Sequence, residues 1–433
     1  MKIAIIGGGP AGSFCAIQIL KLSKNCQHEV TIYDSKPFSR FGPPGCNLGA
    51  GVIARSIIET FKRHKIAIPP NVIQNVIKGF SFYTEGGERH LKIPDEKTFY
   101  SVFRGGGPRD VQHGESMSFD EAILEHAKSL GVDHAEVKFT DIDFPKTPGS
   151  PFALRDVNGK TYNADVVVGA FGVNSVFGKR IETKGFGYRS PRSINVCQAE
   201  MPVDDNFIAK SYGSNIKVLS LKIPGVRFVA LTPKKGYITV TVIANKTSKQ
   251  TLDRVLMDKR LLKHFPDGFV PPDDFCNCQP NLPVSPAKNP YSDGFVMIGD
   301  AHVSRYYKNG IGSAFRTATF AAENISAGKV SKNDFRNHYY RKCVETYYRD
   351  NMYGKGMFLL NDFISKSRFL SSVHLSLAEK GSVSSPEGRN IMDEILINLF
   401  TGESPYREII FKTPFPKLQY EILKEILTKI WER

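Results

Sequence analysis

The chain opens on a short apolar run, Ile3 to Ile6, that stops at glycine. Unbroken apolar residues bounded by a turn signal predict a strand covered on both faces over 2–6. Gly7-Gly8-Gly9-Pro10-Ala11-Gly12 follows, then a helix-compatible stretch over 13–23, then Glu29-Val30-Thr31-Ile32-Tyr33 as a second strand ending on Asp34. Further apolar or alternating runs at 79–83, 91–93, 216–221 and 238–243 predict strands in two inserts, 76–109 and 186–284. The remaining pieces, 1–75, 110–185 and 285–350, read as one interrupted α/β unit. Residues 351–433 read as a helical tail broken at 384–388 and 401–405, where Ser, Gly and Pro gather. The predicted fold class is therefore α/β: a Rossmann-like dinucleotide-binding domain, an inserted antiparallel-sheet domain that binds substrate, and a helical C-terminal region. The last segment sets Leu418, Ile422, Leu423, Ile426, Leu427 and Ile430 at helical spacing among Lys417, Lys424 and Lys429. Such a helix packs on the body, or lies at a membrane interface, or forms a lid over an apolar ligand.

The glycines carry the first chemistry. Gly7 permits a tight turn, Gly9 lets backbone approach a pyrophosphate seated on the helix N-terminus with Pro10 and Ala11, and Gly12 lets the helix pack close to the strand. Asp34 stands 22 residues after Gly12, where ribose hydroxyls are recognised, with Ser35 beside it. This unit alone accepts NAD or FAD. A second motif narrows the choice. Gly294-Phe295-Val296-Met297-Ile298 runs into Gly299-Asp300-Ala301, and Asn309-Gly310-Ile311-Gly312 opens a helix about ten residues later. Gly299 and Asp300 place one carboxylate where a flavin ribityl or ribose hydroxyl binds. Gly310, Ile311 and Gly312 offer N–H groups and a helix dipole to the isoalloxazine edge. The competing account is an aspartate that merely caps this helix. The two motifs together favour FAD.

Composition sets bounds. With 433 residues, 41% of them hydrophobic, the chain has material for two or three structural units. Its net charge of +15 suits anionic partners: phospholipid surfaces, phosphorylated substrates or an acidic electron-donor protein. The Lys and Arg are scattered and no nucleic-acid module is visible, so no nucleic-acid partner is expected. Seven cysteines, an odd number, do not make a disulfide framework. Cys276-Asn277-Cys278 is half a metal site at best, and no metal is expected. Neither a secretory signal nor a membrane span is apparent, so the expected location is cytoplasmic or peripheral on the inner face of a membrane.

These motifs resemble the p-hydroxybenzoate hydroxylase-type FAD fold and, within it, the geranylgeranyl reductase-like group. A third match is Asn163-Ala164-Asp165-Val166-Val167-Val168-Gly169-Ala170-Phe171-Gly172-Val173-Asn174-Ser175, similar to the mid-chain strand and turn of that fold. Phe171 stands where the hydroxylases carry an aspartate tied to flavin and pyridine-nucleotide handling, which favours a reductase over a monooxygenase. A looser match is Pro233-Lys234 with Tyr237, similar to the element that lines the substrate cavity in the reductases; the group's tryptophan is missing there.

The resemblance implies FAD, with Asp34 on the adenosine ribose and Asp300 on the ribityl side. It implies a loop near the flavin running from Arg40 to Cys46 and on through Gly49 and Ala50, with Cys46 as proton donor to the substrate carbon or as a small buried filler. The segment Arg104-Gly105-Gly106-Gly107-Pro108-Arg109 reads as a phosphate or carboxylate contact for substrate or electron donor, or as a surface turn; Arg40 and Arg104 are also candidates for the pyrophosphate. His302, Arg305 and Lys308 would bring positive charge toward the reduced flavin, or line a surface loop. The implied activity is hydride transfer from reduced flavin to a double bond of an apolar prenyl or lipid chain, with NAD(P)H or ferredoxin as electron donor. The alternatives are a flavin monooxygenase acting on an aromatic or polycyclic compound, and a membrane-associated flavin electron-transfer protein.

Overall fold

The computed structural model describes residues 1–23, 28–36, 38, 49–108, 116–147, 149–381, 383–384 and 390–431. The opening apolar run forms the strand Lys2–Ile6 at the centre of a six-stranded sheet. The order is Tyr291–Ser292, Phe295–Met297, Val166–Gly169, Lys2–Ile6, Glu29–Tyr33 and Asp133–Ala135. All pairings are parallel except the short hairpin at 291–297. Both faces are covered, which is why the run does not alternate. Ile3 and Ile5 face Phe14 and Ile17 of the helix Pro10–Leu22, with Ala318 and Ala322 of the helix Gly310–Ser326 in the same core. Ala4 and Ile6 face Phe139, Phe152 and Leu154 of a three-stranded antiparallel sheet.

Two local readings are corrected. The first helix starts at Pro10 rather than Ser13, with Gly9 as its N-cap, because proline at the first helical position sacrifices no hydrogen bond. The mid-chain strand that begins at Asn163 is two strands. Thr161–Ala164 belongs to the small antiparallel sheet and Val166–Gly169 to the parallel one. Between them the Asp165 carboxylate accepts the Lys2 N–H at 2.8 Å, tying the switch to the first strand.

The larger sheet has the order Cys276–Cys278, Ser193–Pro202, Tyr237–Ala244, Val226–Lys234, Asn215–Leu219, Gly79–Thr84 and Gly87–Lys92, with Asn281–Pro283 also paired to the second of these. It is antiparallel except where Asn215–Leu219 meets Gly79–Thr84, two segments far apart in the chain. Residues 226–234, not among the predicted strands, form a full strand that returns through Lys235 and Gly236 (φ +71°). Val229, Leu231, Val240 and Val242 pack on one face in a cluster of their own. Phe80, Phe82, Ile216, Val218 and Phe228 belong to the main core on the other.

The tail is helical, as expected: Arg349–Lys366, Arg368–Lys380, Ile391–Thr401, Tyr406–Lys412 and Phe415–Trp431. Gly381 (φ +61°) and Gly402 (φ +65°) close two of these helices in the left-handed conformation that suits glycine. Among the described residues, no helix is long and apolar enough to cross a membrane.

Candidate functional site

The site is built at the turn after the first strand. Gly7 has φ +111°, and a Cβ there would lie 2.6 Å from the Ala170 carbonyl oxygen. A Cβ at Gly12 would collide with the carbonyl oxygen of Gly7, so the helix touches the strand only because both are glycine. Gly9 differs: a Cβ there would meet nothing within 4 Å. It faces open space at a helix N-terminus that no side chain caps, the arrangement a pyrophosphate needs. The Asp34 carboxylate accepts the Gly8 N–H at 2.6 Å and the Lys36 N–H at 2.8 Å. Those bonds hold it beside the glycine turn and leave lone pairs for hydroxyl donors. Ser35 is exposed next to it. The Ser13 hydroxyl donates to the Gly8 carbonyl at 2.8 Å and fixes the turn from within the helix.

The second motif docks on the first. Gly299 (φ +58°) approaches Ala11 so closely that a Cβ would be 2.7 Å from the alanine methyl. Its N–H donates to the Thr317 hydroxyl at 2.9 Å. Asp300 follows, and burial raises its pKa, opposed by a hydrogen bond from Ser304 and the charge of Arg104. It is not the cap of the next helix. Asn309, in the left-handed conformation, accepts the Gly312 N–H at 3.0 Å and caps Gly310–Ser326. Gly310 has open space where a Cβ would point. The free helix-start groups are thus those of Gly310 and Ile311, while Gly312 serves the cap.

Arg104 is turned inward. Its guanidinium donates to Asp120 at 2.7 and 3.2 Å, and the Gly105 N–H reaches the same carboxylate at 3.0 Å. Asp120 is fully buried. The glycine-rich loop therefore already holds an anion, the protein's own, and the Nε and Nη2 of Arg104 are engaged by it. Burial works against the charge on Arg104, but Asp120 outweighs it and raises the pKa. The side chain also lies against Gly49, where a Cβ would be 3.3 Å from Arg104 Cγ. Arg104 thereby ties the Gly49-Ala50 backbone to Asp120 within electrostatic reach of Asp300.

Pro233, Lys234 and Tyr237 gather one residue away, around Phe103. The Pro233 carbonyl accepts the Ser101 hydroxyl at 2.8 Å. Lys234 is buried, paired with Glu200 at 2.9 Å and 5.0 Å above the Phe103 ring. Tyr237 meets that ring edge-on at 5.8 Å. The Lys234 charge is spent within the protein, so a substrate contact through that charge is not what this geometry provides. Arg40, Cys46 and Arg109 lie outside the described residues.

The linking loop holds the main departure from expectation. His302 hydrogen-bonds Tyr339 at 2.6 Å and Tyr348 at 3.1 Å, and burial depresses its pKa to about 3, so it is neutral. Arg305 donates to the carbonyls of Gly402 (2.6 Å) and Ser404 (3.0 Å) and lies 3.9 Å from Asp350. Lys308 enters a cage formed by Phe228, Phe358 and Phe400. Arg305 and Lys308 engage the tail, and His302 engages the segment just before it. Asp120, Thr317 and Asn309 are site-shaping residues whose roles the sequence reading missed; only Asn309 had a local signal, a capping residue directly before Gly-x-Gly. Beyond the cage, an apolar cavity of about 150 Å³ separates the large sheet from the tail helices, with Phe82, Val218, Leu396, Leu399 and Phe400 among its walls.

No family model matches the chain. It is 24% identical over 372 residues, 80% of its length and 72% of the relative's, to the chloroplastic geranylgeranyl diphosphate reductase of Nicotiana tabacum. Among solved structures it resembles a geranylgeranyl bacteriochlorophyll reductase-like protein from Thermoplasma acidophilum, with a TM-score of 0.63 and 17% identity over 98% of this chain and 95% of that one. It also resembles a flavin-dependent brominase, with a TM-score of 0.60 and 16% identity over 84% and 89% of the two chains. One fold thus serves more than one flavin chemistry. The chain is similar in sequence to a geranylgeranyl diphosphate reductase and shares its fold with flavoproteins of more than one activity.

Proposed function

We propose that this protein is an FAD-dependent reductase that saturates carbon–carbon double bonds of an apolar, prenyl- or lipid-like substrate. The observation that carries the reading is the sequence relation to the plant reductase, which extends over four fifths of the chain. The residues fit FAD: Gly9 and Gly310 each leave room where a Cβ would stand, at the starts of two helices joined by the Gly299–Ala11 contact. Bound FAD would supply the hydride chemistry. Gly7, Gly9 and Gly12 would hold the pyrophosphate, Asp34 the adenosine ribose, and Asp300 a hydroxyl on the ribityl side. Gly310 and Ile311 would direct N–H groups and the helix dipole toward the flavin ring. The apolar cavity suits a hydrocarbon chain. The electron donor is NAD(P)H, or a ferredoxin-like acidic protein matched to the +15 charge.

Purified protein should be yellow, and mass spectrometry should find FAD released on denaturation. Colourless protein that takes up no FAD overturns the reading. Chemically reduced protein, incubated without oxygen with geranylgeranyl diphosphate, should yield product heavier by two hydrogens per bond saturated. The fold shared with the brominase supports a second reading, a flavin monooxygenase or halogenase. Oxygen-dependent substrate modification with no anaerobic product would favour it.

A further inference from the structure

One face of the large sheet is closed by its own apolar cluster of Val229, Leu231, Val240 and Val242. On the opposite face Val196, Ile243 and Phe228 join the main core, which the sheet shares with the dinucleotide unit. Two attachments to that unit bracket this face. At one end the Asn281 N–H donates to the Asn174 side chain at 2.8 Å, where the strand Asn281–Pro283 pairs with residues 193–195. At the other end Lys234 and Pro233 meet Phe103 and Ser101, next to Arg104. Between the two, Gln198 stands directly opposite Thr241 on the neighbouring strand. Both residues are buried, at 5% and 6% exposure. Neither the Gln198 Oε1 nor the Thr241 Oγ1 has a hydrogen-bond partner among the described residues. A buried polar atom left unpaired costs the fold its desolvation, so folded proteins keep few of them. Here two lie side by side. Their row continues into Cys278 on one side and Ala230 on the other. Those two residues are only partly buried, so the row borders accessible space and not solid core.

The charge around the row is balanced. Glu200, two residues on and on the same face, has both oxygens engaged, one by Lys234 at 2.9 Å and the other by Thr239 at 2.7 Å. The Glu200–Lys234 pair sums to zero, so an ion desolvated beside Gln198 would gain no counterion from it. A neutral hydroxyl fits better. It can donate to the Gln198 Oε1 and accept from the Thr241 hydroxyl, satisfying both orphaned atoms at once.

We infer that Gln198 and Thr241 are a specificity-determining pair that binds an uncharged hydroxyl group of the substrate. The assignment rests on the reductase reading, because it takes the guest of this row to be the substrate. It adds that the molecule is an alcohol where it meets the sheet, and that the fold leaves two polar atoms unpaired until the ligand arrives, a stability cost accepted for recognition.

Equilibrium dialysis of the oxidised holoprotein with geraniol, the corresponding diene without the hydroxyl, and geranyl phosphate reads the site without turnover. Geraniol should bind at least roughly tenfold more tightly than the diene, the scale of two neutral hydrogen bonds made by atoms otherwise unpaired, and geranyl phosphate no more tightly than geraniol. Gln198→Leu and Thr241→Val keep the approximate shape and remove the polar atoms. Each should cut the preference for geraniol about threefold or more, while Thr241→Ser keeps it. Since an apolar group replaces an unpaired polar one, neither variant should have a lower thermal midpoint, and FAD affinity should stay as in the wild type. Equal binding of geraniol and the diene by the wild type overturns the proposal, and that comparison needs no variant to fold. A preference that survives both substitutions overturns it too. So does a lowered midpoint, which would make the pair structural, or a lowered FAD affinity, which would give it to the cofactor. Alkene reduction without the preference removes this site and leaves the reductase reading standing; the preference without alkene reduction does the reverse.

Discussion

The two ends of the 299–312 loop and its middle serve different regions. Gly299 and Gly310 belong to the proposed cofactor cradle, where a Cβ at Gly299 would strike the Ala11 methyl and one at Gly310 would enter the open space left for the ligand. Arg305 and Lys308 belong to the tail, where long polar side chains cross to residues roughly 50–100 positions away in sequence, and His302 to the segment just before it. The cradle is defined by what must not be there, a Cβ. The tail is defined by partners that must be there. A ligand at the cradle and the packing of the tail are thereby attached to the same loop, and each can be broken separately.

The largest effect is expected at Gly12. Its Cβ would collide with the Gly7 carbonyl, so Gly12→Ala must push the helix off the central strand. Little soluble FAD-bound protein should be recovered, as measured by flavin absorbance per mole of chain. Gly9→Ala is the control within the same motif. Its Cβ enters open space, so the thermal midpoint without cofactor should hardly move while FAD affinity drops. If both variants lose the fold, Gly9 is a structural glycine and the cradle reading fails.

Next comes Arg305. Replacing it with Met leaves the Gly402 and Ser404 carbonyls and the buried Asp350 carboxylate without their cation. Losing one partner of a buried charged cluster costs about 3–5 kcal/mol. Urea denaturation should show that loss, and limited proteolysis should cut first near 402–404. A variant as stable as wild type would mean that the tail is not anchored through this loop.

The same contrast explains what the sequence reveals. Gly7 and Gly12 are legible because each meets a steric constraint set within a known strand–turn–helix pattern, and Gly299 because it opens the second motif and lies against Ala11 of the first helix. Both central strands at 2–6 and 29–33 are legible because an unbroken apolar run ending in glycine has few other uses. The Arg104–Asp120 pair is not legible. A Gly-rich loop between two arginines looks like an anion site, and nothing local says that the anion is an aspartate sixteen residues on. The inward turn of Arg305 and Lys308 is hidden for the same reason: their partners lie far off in sequence, most of them in the last quarter of the chain. The break of 163–168 at Asp165 is hidden because its cause, the Lys2 N–H, is 163 residues away.

Asp300 sharpens the comparison from the cradle side. Its pKa is raised, so the folded state holds this proton more tightly than the unfolded chain does. Stability from this group is fully present below the unfolded carboxyl value of about 3.9 and is lost as pH rises through the higher folded value. Asp300→Asn should therefore flatten that part of the pH–stability profile of FAD-free protein and leave it no less stable at neutral pH. The same change should weaken FAD roughly tenfold, the equivalent of one hydrogen bond to a charged group, in a flavin-fluorescence titration. Unchanged FAD affinity would move Asp300 out of the cofactor site.

The smallest effect on stability is expected on the outer face of the last helix. Leu418 is buried, and Ile422 and Ile426 pack with it against Val373 and Leu377, while Leu423 and Leu427 are 61% and 60% exposed. The helix thus has two apolar faces, and among the described residues only the first is occupied. Truncating the helix would confound them, because it removes the packed face as well. The double substitution Leu423→Ser, Leu427→Ser separates them: it should change unfolding free energy by no more than about 0.5 kcal/mol per site, since neither side chain is in the core. Tyr420, Ile430 and Trp431 are also exposed on this helix, with Lys417 and Lys424 exposed nearby. If the outer face rests on an anionic bilayer, wild-type protein should sediment with phosphatidylserine vesicles and the double variant should stay in the supernatant. Sedimentation of both to the same extent would remove the membrane from the account of this helix while leaving its inner face, and the tail it holds, unchanged.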